Sequence, residues 1–537
     1  MTEFEPTAEQ RRVIECTQPL LVVLGGAGTG KTTTACAAAR AHLERQNVTD
    51  RVLFLSFSRA SVGRVLQRAR GVVGPWGSQI DVTTFHALAW SIVRRFGAVV
   101  GHENPVLRPP AYQRLLEDPE ALGYDDLIPL ALKVLEESAA VRRHVERRWG
   151  LVIVDEYQDT GDLQTELIDS VSTGSRRMLL GDPNQCIYAS FLSGAGVRAE
   201  RIEDAADEAG AEGVVHLPPA SHRDKTGLIP AIAQAIMRRE FEHEAIHEGL
   251  RSGRMVVESS ITAADEGTSV ARWVQALTAE NLSVGVYCHH NDMLAELSDR
   301  LQEQEIDHDI AGMSDALSLA LLAHVEMCKY AAGASEWDEV LQSVAVFVAS
   351  AQKGSQVPPL AWKIMREVDG SLGRRLSDLR RALEEATLAD ATGIAADAHS
   401  RIGLPAKSRA WSQATTILRP MIARAKRARD SQSAVLALAR EAEQAASGLL
   451  TDVVDDPGDV QLMNLHQTKG READATIVVL RATDFFGKYE KPPYENTSRL
   501  LYVVFSRARH RVVLLLVGQG LPAQVAPLAS LASLTGT

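Results

Sequence analysis

The stretch "GGAGTGKT", Gly25 to Thr32, constrains the fold more than any other part of the chain. It fits G-x-x-x-x-G-K-[ST] at every fixed position, follows the apolar run "LLVVL" and opens the Ala-rich helical run "TTTACAAARA". A strand, a glycine turn and a helix N-terminus in that order form a phosphate cradle. Gly25, Gly26, Ala27, Gly28, Thr29 and Gly30 would present backbone N–H groups to phosphate oxygens, and the helix N-terminus adds positive potential. Lys31 would reach the β and γ phosphates, Thr32 would ligate magnesium, and Thr33 continues the cradle. The competing reading is a glycine-rich turn with a chance lysine, and the flanking strand and helix weigh against it.

At 537 residues the chain is too long for one core, and about 100 to 200 residues per domain implies three or four domains. Its 45% hydrophobic and 23% charged residues are ordinary for a soluble globular protein, and no apolar run reaches the length of a membrane span. The polar, acidic start "MTEFEPTAEQ" is unlike a signal peptide, so a cytoplasmic location is expected. Five cysteines lie far apart without a C-x-x-C pair, which points away from zinc, iron–sulfur or redox chemistry. The net charge of -12 argues against coating nucleic acid by bulk charge, but only the local field at a groove governs binding.

Short β-like runs followed by Gly, Ser, Asp or Thr and then a helical pattern recur in "LLVVLGG", "RVLFLSFS", "DVTTFHA", "LVIVDE" and "RMLLGD". A second series comprises "SVGVYCHH", "DVQLMNLH", "ATIVVLRA" and "HRVVLLLVG". Both series predict α/β architecture with parallel sheets. Strand signals fade over 314–457, where Leu372, Leu376, Leu379 and Leu383 recur at helical spacing with Arg374, Arg375, Arg380 and Arg381 between them. That segment is expected to be a helical insertion, and 97–150 a shorter one. The expected division is therefore 1–96 with 151–213, 97–150, 214–313 with 458–537, and 314–457.

"LVIVDEYQDT" supplies a second strand with two acids at its end. Asp155 would hold the magnesium through water, and Glu156 would orient and deprotonate the attacking water. Paired acids at a strand end can also be a helix cap, a reading that the phosphate cradle makes less economical. Gln185, beyond a third strand, could contact both the γ-phosphate and the water, reporting whether that phosphate is present.

These motifs and their order resemble the UvrD/Rep/PcrA-like helicases of superfamily 1A. "PTAEQRRVI" resembles the adenine-reading Q motif with Gln10, and "GGAGTGKTT", "LSFSRASV", "TTFHALA", "VDEYQDT" and "GDPNQCIY" resemble motifs I, Ia, Ib, II and III. "SHRDKTGLIPAIAQAI", "NLHQTKGREAD" and "RLLYVVFSRAR" are similar to motifs IV, V and VI. The resemblance implies two RecA-like P-loop NTPase motor domains, 1A and 2A, with ATP and Mg2+ between them, single-stranded DNA across both, and helical insertions 1B and 2B. By matching position, Arg223 and Arg507 would be arginine fingers, while Glu472 and His222 would help hold the nucleotide. Thr84, Phe85, His86 and His466 would contact DNA, with Phe57 and Ser58, because such side chains stack on bases without reading sequence. A lone His or Phe is more often core, so motif position alone promotes these. The Arg clusters at 142–148, 374–381 and 424–429 either follow phosphate or are solvated helix faces.

Several positions depart from the family pattern. His222 stands where a Tyr usually stacks on adenine, motif V starts with Asn464 and has Arg471 before its Glu, and both insertions are short. In "IYASFLSGA" the usual aromatic-arginine pair is replaced by a longer segment without arginine, where Phe191 either stacks on a base or packs beneath the loop. The expected function is an ATP-dependent single-stranded DNA translocase and helicase moving 3′ to 5′, acting at single-strand/duplex junctions, without a nuclease domain, a GTP-specificity motif or a membrane. The alternative is a regulatory ATPase that works on a partner, such as a nuclease in antiphage defence or an RNA polymerase remodeller. A decayed motor is a third reading, opposed by Asp155, Glu156, Gln185, Arg223 and Arg507.

Overall fold

A computed structural model describes residues 5–45, 50–57, 59–116, 118–189, 193–219, 223–311, 314–350, 357–366, 370–404, 408–425, 431–451, 458–484, 486 and 490–534. The chain divides into two compact units, Met1–Phe85 with Ala139–Ala311 and Val453–Thr537, and His86–Ser138 with Gly312–Asp452. Among the described residues the strands of the N-terminal part are β1 (Leu20–Leu24), β2 (Val52–Ser56), β3 (Ile80–Thr84), the short β4 (Val106–Leu107) and β5 (Ala121–Leu122), β6 (Leu151–Val154), β7 (Arg176–Gly181) and β8 (Val214–His216). Those that follow are β9 (Met255–Ile261), β10 (Val284–Cys288), β11 (Asp309–Ile310), β12 (Val460–Asn464), β13 (Ala473–Arg481) and β14 (Ala508–Val517).

The first unit holds two six-stranded sheets, ordered β3-β2-β6-β7-β1-β8 and β11-β12-β10-β13-β14-β9, with every pairing parallel. Parallel strands are covered on both faces, so they read as unbroken apolar runs. Leu21, Val22 and Val23 of β1 and Val52 to Leu55 of β2 are accordingly fully buried. This is the expected α/β class with two RecA-like parallel sheets. Because the strands are parallel, the turns after β1, β2, β3, β6 and β7 emerge at one edge of the first sheet, where ligands of such sheets bind. The division expected at 213/214 needs correction, since β8 pairs with β1 (Val22 opposite Val214) and extends the first sheet.

In the second unit, seven helices among the described residues, from Ser314–Ala331 to Ser431–Thr451, pack around Leu319, Leu341, Phe347, Leu379, Trp411 and Leu418 among others. Leu376, Leu379 and Leu383 are buried, while Arg374, Arg375, Arg380 and Arg381 are on the outer, more exposed side, an amphipathic face in the simplest form. The segment preceding Ser138 shares this core through Ala111. Arg108 forks onto Glu443, Arg114 donates to the Ala349 carbonyl at 3.0 Å, and the Tyr124 hydroxyl donates to the Leu450 carbonyl at 2.8 Å. The two insertions, distant in sequence, therefore form one packed body. The helix Ala139–Glu146, which the sequence reading places in the first insertion, belongs to the sheet-bearing unit.

Candidate nucleotide and nucleic-acid site

The turn after β1 needs its glycines for two different reasons. Gly28 and Gly30 have φ of 82° and 88°, the left-handed region that a side chain disfavours. A Cβ on Gly25 would lie 2.6 Å from the Thr29 hydroxyl. Lys31 is 9% exposed, and its ammonium donates to the carbonyls of Gly25 at 2.5 Å and Gly26 at 3.2 Å, folding the side chain back over the loop. The Thr32 hydroxyl donates to Asp155 Oδ2 at 3.3 Å, which brings together one hydroxyl and one carboxylate. Such hard oxygen donors suit Mg2+, which keeps most of its own water and shares substrate phosphates. Buried Gln10 closes a capping box with Thr7 and donates to the Thr29 carbonyl at 3.4 Å, which ties the Q-motif helix to the loop.

Glu156 has φ of 57°, an uncommon conformation for a non-glycine residue that turns the chain sharply after β6. Its carboxylate accepts from Gln158 Nε2 at 2.7 Å and lies 3.5 Å from the ammonium of Lys469. That ammonium also pairs with the fully buried Asp159 and donates to the Gln185 carbonyl at 2.8 Å. Burial alone would raise the Glu156 pKa, but Lys469 and Lys31 overcome it and hold the carboxyl down to about 2. Lys469 is pulled down to about 8 by burial, against the opposing pull of Glu156.

The second sheet supplies the opposite wall through the return from β12 to β13 and through the helix Glu495–Phe505 with Ser506 and Arg507. Arg507 is 1% exposed and donates from Nη2 to Gln185 Oε1 at 3.1 Å. Gln185 in turn donates to Asp182 Oδ2 at 2.8 Å. The Tyr502 hydroxyl accepts from the Ala27 N–H at 3.3 Å and donates to Asp182 at 3.3 Å, so it joins the phosphate loop to the Gln185 turn. Arg223, expected to aim at a γ-phosphate, pairs through Nη2 with Glu472 Oε1 at 2.8 Å and donates from Nη1 to the Ser506 carbonyl at 3.2 Å. Glu472, expected to hold the nucleotide, thus engages an arginine.

The expected nucleic-acid residues divide. Phe57 is half-buried with its ring stacked on Tyr188, centroids 4.9 Å apart. The Tyr188 hydroxyl donates to the His466 carbonyl at 3.0 Å, which links the turn after β2, the Gln185 segment and the return after β12. His466 is partly exposed, and burial together with His290 lowers its pKa. His86 packs edge-on to Tyr124, with its pKa lowered by burial. Thr84 is largely buried, and Phe85 is corrected to core: at 1% exposure its ring has no face left for a base. Ser58, Phe191 and His222 lie outside the described residues. Of the arginine clusters, Arg148 pairs with Asp81 beside Trp149, and Arg424 pairs with Glu441.

Lys469, Asp159, Tyr502 and Tyr188 join this site although motif matching did not single them out. All four stood inside quoted motifs, and the signal available was a polar or aromatic side chain at a position to which no role had been given. Two departures have local explanations. Asn464 caps the turn Leu465–Thr468 by accepting from the Gln467 N–H at 2.9 Å, a role Asn fills as well as Thr. Arg471 turns away to Gln461 Oε1 at 2.8 Å.

A family model described as the UvrD/REP helicase N-terminal domain matches residues 6–110 and 108–195. An ATP-dependent DNA helicase PcrA from Staphylococcus aureus is 23% identical over 243 residues, 34% of this chain and 33% of the relative. A PcrA from Leuconostoc citreum is 23% identical over 244 residues with the same shares. A component of an ATP-dependent helicase/nuclease from Lactococcus lactis is 31% identical over 96 residues, 17% of this chain and 8% of the relative. The match to the PcrA proteins thus spans about a third of their length. The chain is thus similar to the UvrD/REP helicase N-terminal domain over residues 6–195, the stretch that holds the phosphate loop and the acids Asp155 and Glu156.

Proposed function

We propose that the chain is an ATP-driven single-stranded DNA translocase and helicase, moving 3′ to 5′ and opening duplex at single-strand junctions. The observation that carries this reading is the meeting of two walls: Arg507 of the second sheet on Gln185 of the first, with Lys469 against Glu156 and Asp159. Charge that stabilises a phosphoryl-transfer transition state arrives from the wall opposite the phosphate loop, so turnover requires both walls together, an effect worth about 10³ to 10⁵ in comparable enzymes.

In this mechanism Lys31 leaves the Gly25 and Gly26 carbonyls to hold the β and γ phosphates. Thr32 and Asp155 would hold Mg2+, which would supply neutralising charge to the phosphates. Glu156, already ionised, takes the proton of the attacking water, and Gln185 aligns that water while accepting from Arg507. Loss of the γ-phosphate removes the negative charge that draws Arg507 toward the phosphate loop, and the walls part. Tyr188 spans the same divide beside Phe57 and His466, so a strand lying on these residues would be gripped and released in step with the nucleotide.

ATPase assays with and without single-stranded DNA test the reading, followed by unwinding of 3′-tailed and 5′-tailed duplexes. Stimulated turnover with unwinding from 3′ tails is expected; absence of turnover, or turnover indifferent to DNA, would refute it. Because a protein named as part of a helicase/nuclease matches 17% of this chain, a nuclease partner is sought in a further arm of the same test.

A further inference from the structure

We propose that Glu472 is a positioning residue for Arg223, seating that guanidinium in the cleft, rather than the nucleotide holder that the family resemblance implies. The inference rests on the reading of this cleft as an ATPase site. Glu472 lies just before β13 with its side chain 6% exposed, and its Oε1 is 2.8 Å from Arg223 Nη2. The other arm of the same fork, Nη1, donates to the Ser506 carbonyl at 3.2 Å. Ser506 also accepts from Arg507 Nη2 on its hydroxyl at 3.0 Å. One residue therefore seats both arginines, the carbonyl holding Arg223 and the hydroxyl Arg507.

Glu472 is itself fixed from its far side. Its Oε2 lies 3.5 Å from Arg509 Nη2, and Arg509 Nη1 is anchored 3.2 Å from Asp474 Oδ1. A carboxylate with one oxygen toward each of two guanidiniums has a set plane, and Oε1 is committed to Arg223. Charge-assisted contacts of this kind are directional and stronger than neutral ones. A long, flexible side chain held by two acceptors needs little reordering when the walls close, which is how positioning residues raise turnover without changing ground-state binding.

The test is steady-state ATP hydrolysis by the full chain as wild type, Glu472→Gln, Arg223→Ala and the double variant, with melting temperatures measured alongside. Misplacing a catalytic group by about 1 Å costs about 100-fold, so Glu472→Gln should lower kcat by about 10- to 100-fold. Its KM for ATP should stay within about twofold, and it should add nothing in the Arg223→Ala background. Turnover of 3′-deoxy-ATP relative to ATP should be the same in wild type and Glu472→Gln. If Glu472→Gln does not fold, Glu472→Asp, which keeps the charge on a shorter arm, should show the same fall in kcat with KM kept. A raised KM with kcat retained, together with altered discrimination against 3′-deoxy-ATP, would overturn the proposal in favour of ribose binding. Losses that multiply in the double variant would overturn it as well. An active wild type with unaltered Glu472→Gln defeats this inference alone, whereas a wild type without turnover defeats the reading of the cleft.

Discussion

Lys469 serves the buried Asp159 and the partly exposed Glu156 with one ammonium, so replacing it by methionine removes the charge while keeping most of the apolar stem. At the 3.5 Å separation from Glu156, a unit charge at an effective dielectric of about 20 is worth roughly 5 kcal/mol, or about 3.5 pH units. Asp159 competes for the same ammonium, so a rise of about 2 units is the expected share for Glu156. That moves its pKa from about 2 to roughly 4. Profiles of kcat for ATP hydrolysis between pH 4 and 8 would then gain an acid limb in Lys469→Met that wild type lacks, and Lys469→Arg would restore the wild-type profile. The sign for stability follows from the same shift. Glu156 titrates lower in the fold than its ordinary 4.5, so its stabilisation is complete above pH 4.5 and is lost as the pH falls toward 2. Lys469→Met narrows that window and leaves Asp159 buried without a counter-charge, a cost of about 3 to 5 kcal/mol. A variant with the wild-type acid side and an unchanged melting temperature would refute the argument that Lys469 sets the charge state of this site.

Glu156→Gln should bind ATP tightly and fail to turn it over, since the amide keeps the shape and leaves Asp155 in place; filter binding of ATP with single-turnover kinetics checks this, and failure to bind would show that Glu156 is structural. Arg507→Ala should cut kcat by orders of magnitude with KM largely kept, and a change confined to KM would assign Arg507 to ground-state binding. Tyr502→Phe removes the hydroxyl that serves both the Ala27 N–H and Asp182. It should cost about 1 to 3 kcal/mol through unsatisfied buried groups, read as a lower melting temperature and weaker nucleotide binding.

Most of the motor fold was legible because parallel strands must be apolar on both faces, and runs such as "LVIV" and "VVLLLV" announce themselves. The strands of the two six-stranded sheets that escaped were β8, β9 and β11. β9 reads "MVVESSI" and carries exposed Ser259 and Ser260, as an edge strand can, while β11 is two residues long. The phosphate loop and its acids were legible because their chemistry is local in sequence. The partners of those acids were not, since Lys469 lies 310 residues from Asp159 and only the fold brings them together. Phe85 shows the reverse limit: its motif position suggested a ring for stacking, and its burial could be read only from packing.

The shared core of the two insertions has a consequence for how the chain is made. Tyr124 waits for a carbonyl at Leu450, 326 residues later. At a synthesis rate of about 5 to 20 residues per second, that is about 16 to 65 s after Tyr124 itself is added. Through that interval the early insertion has emerged from the ribosome without the helices that cover Ala111 and engage Arg108 and Arg114. Its stability is therefore borrowed from a much later part of the message, and the nascent protein passes through a long, sticky adolescence that the finished structure no longer reveals.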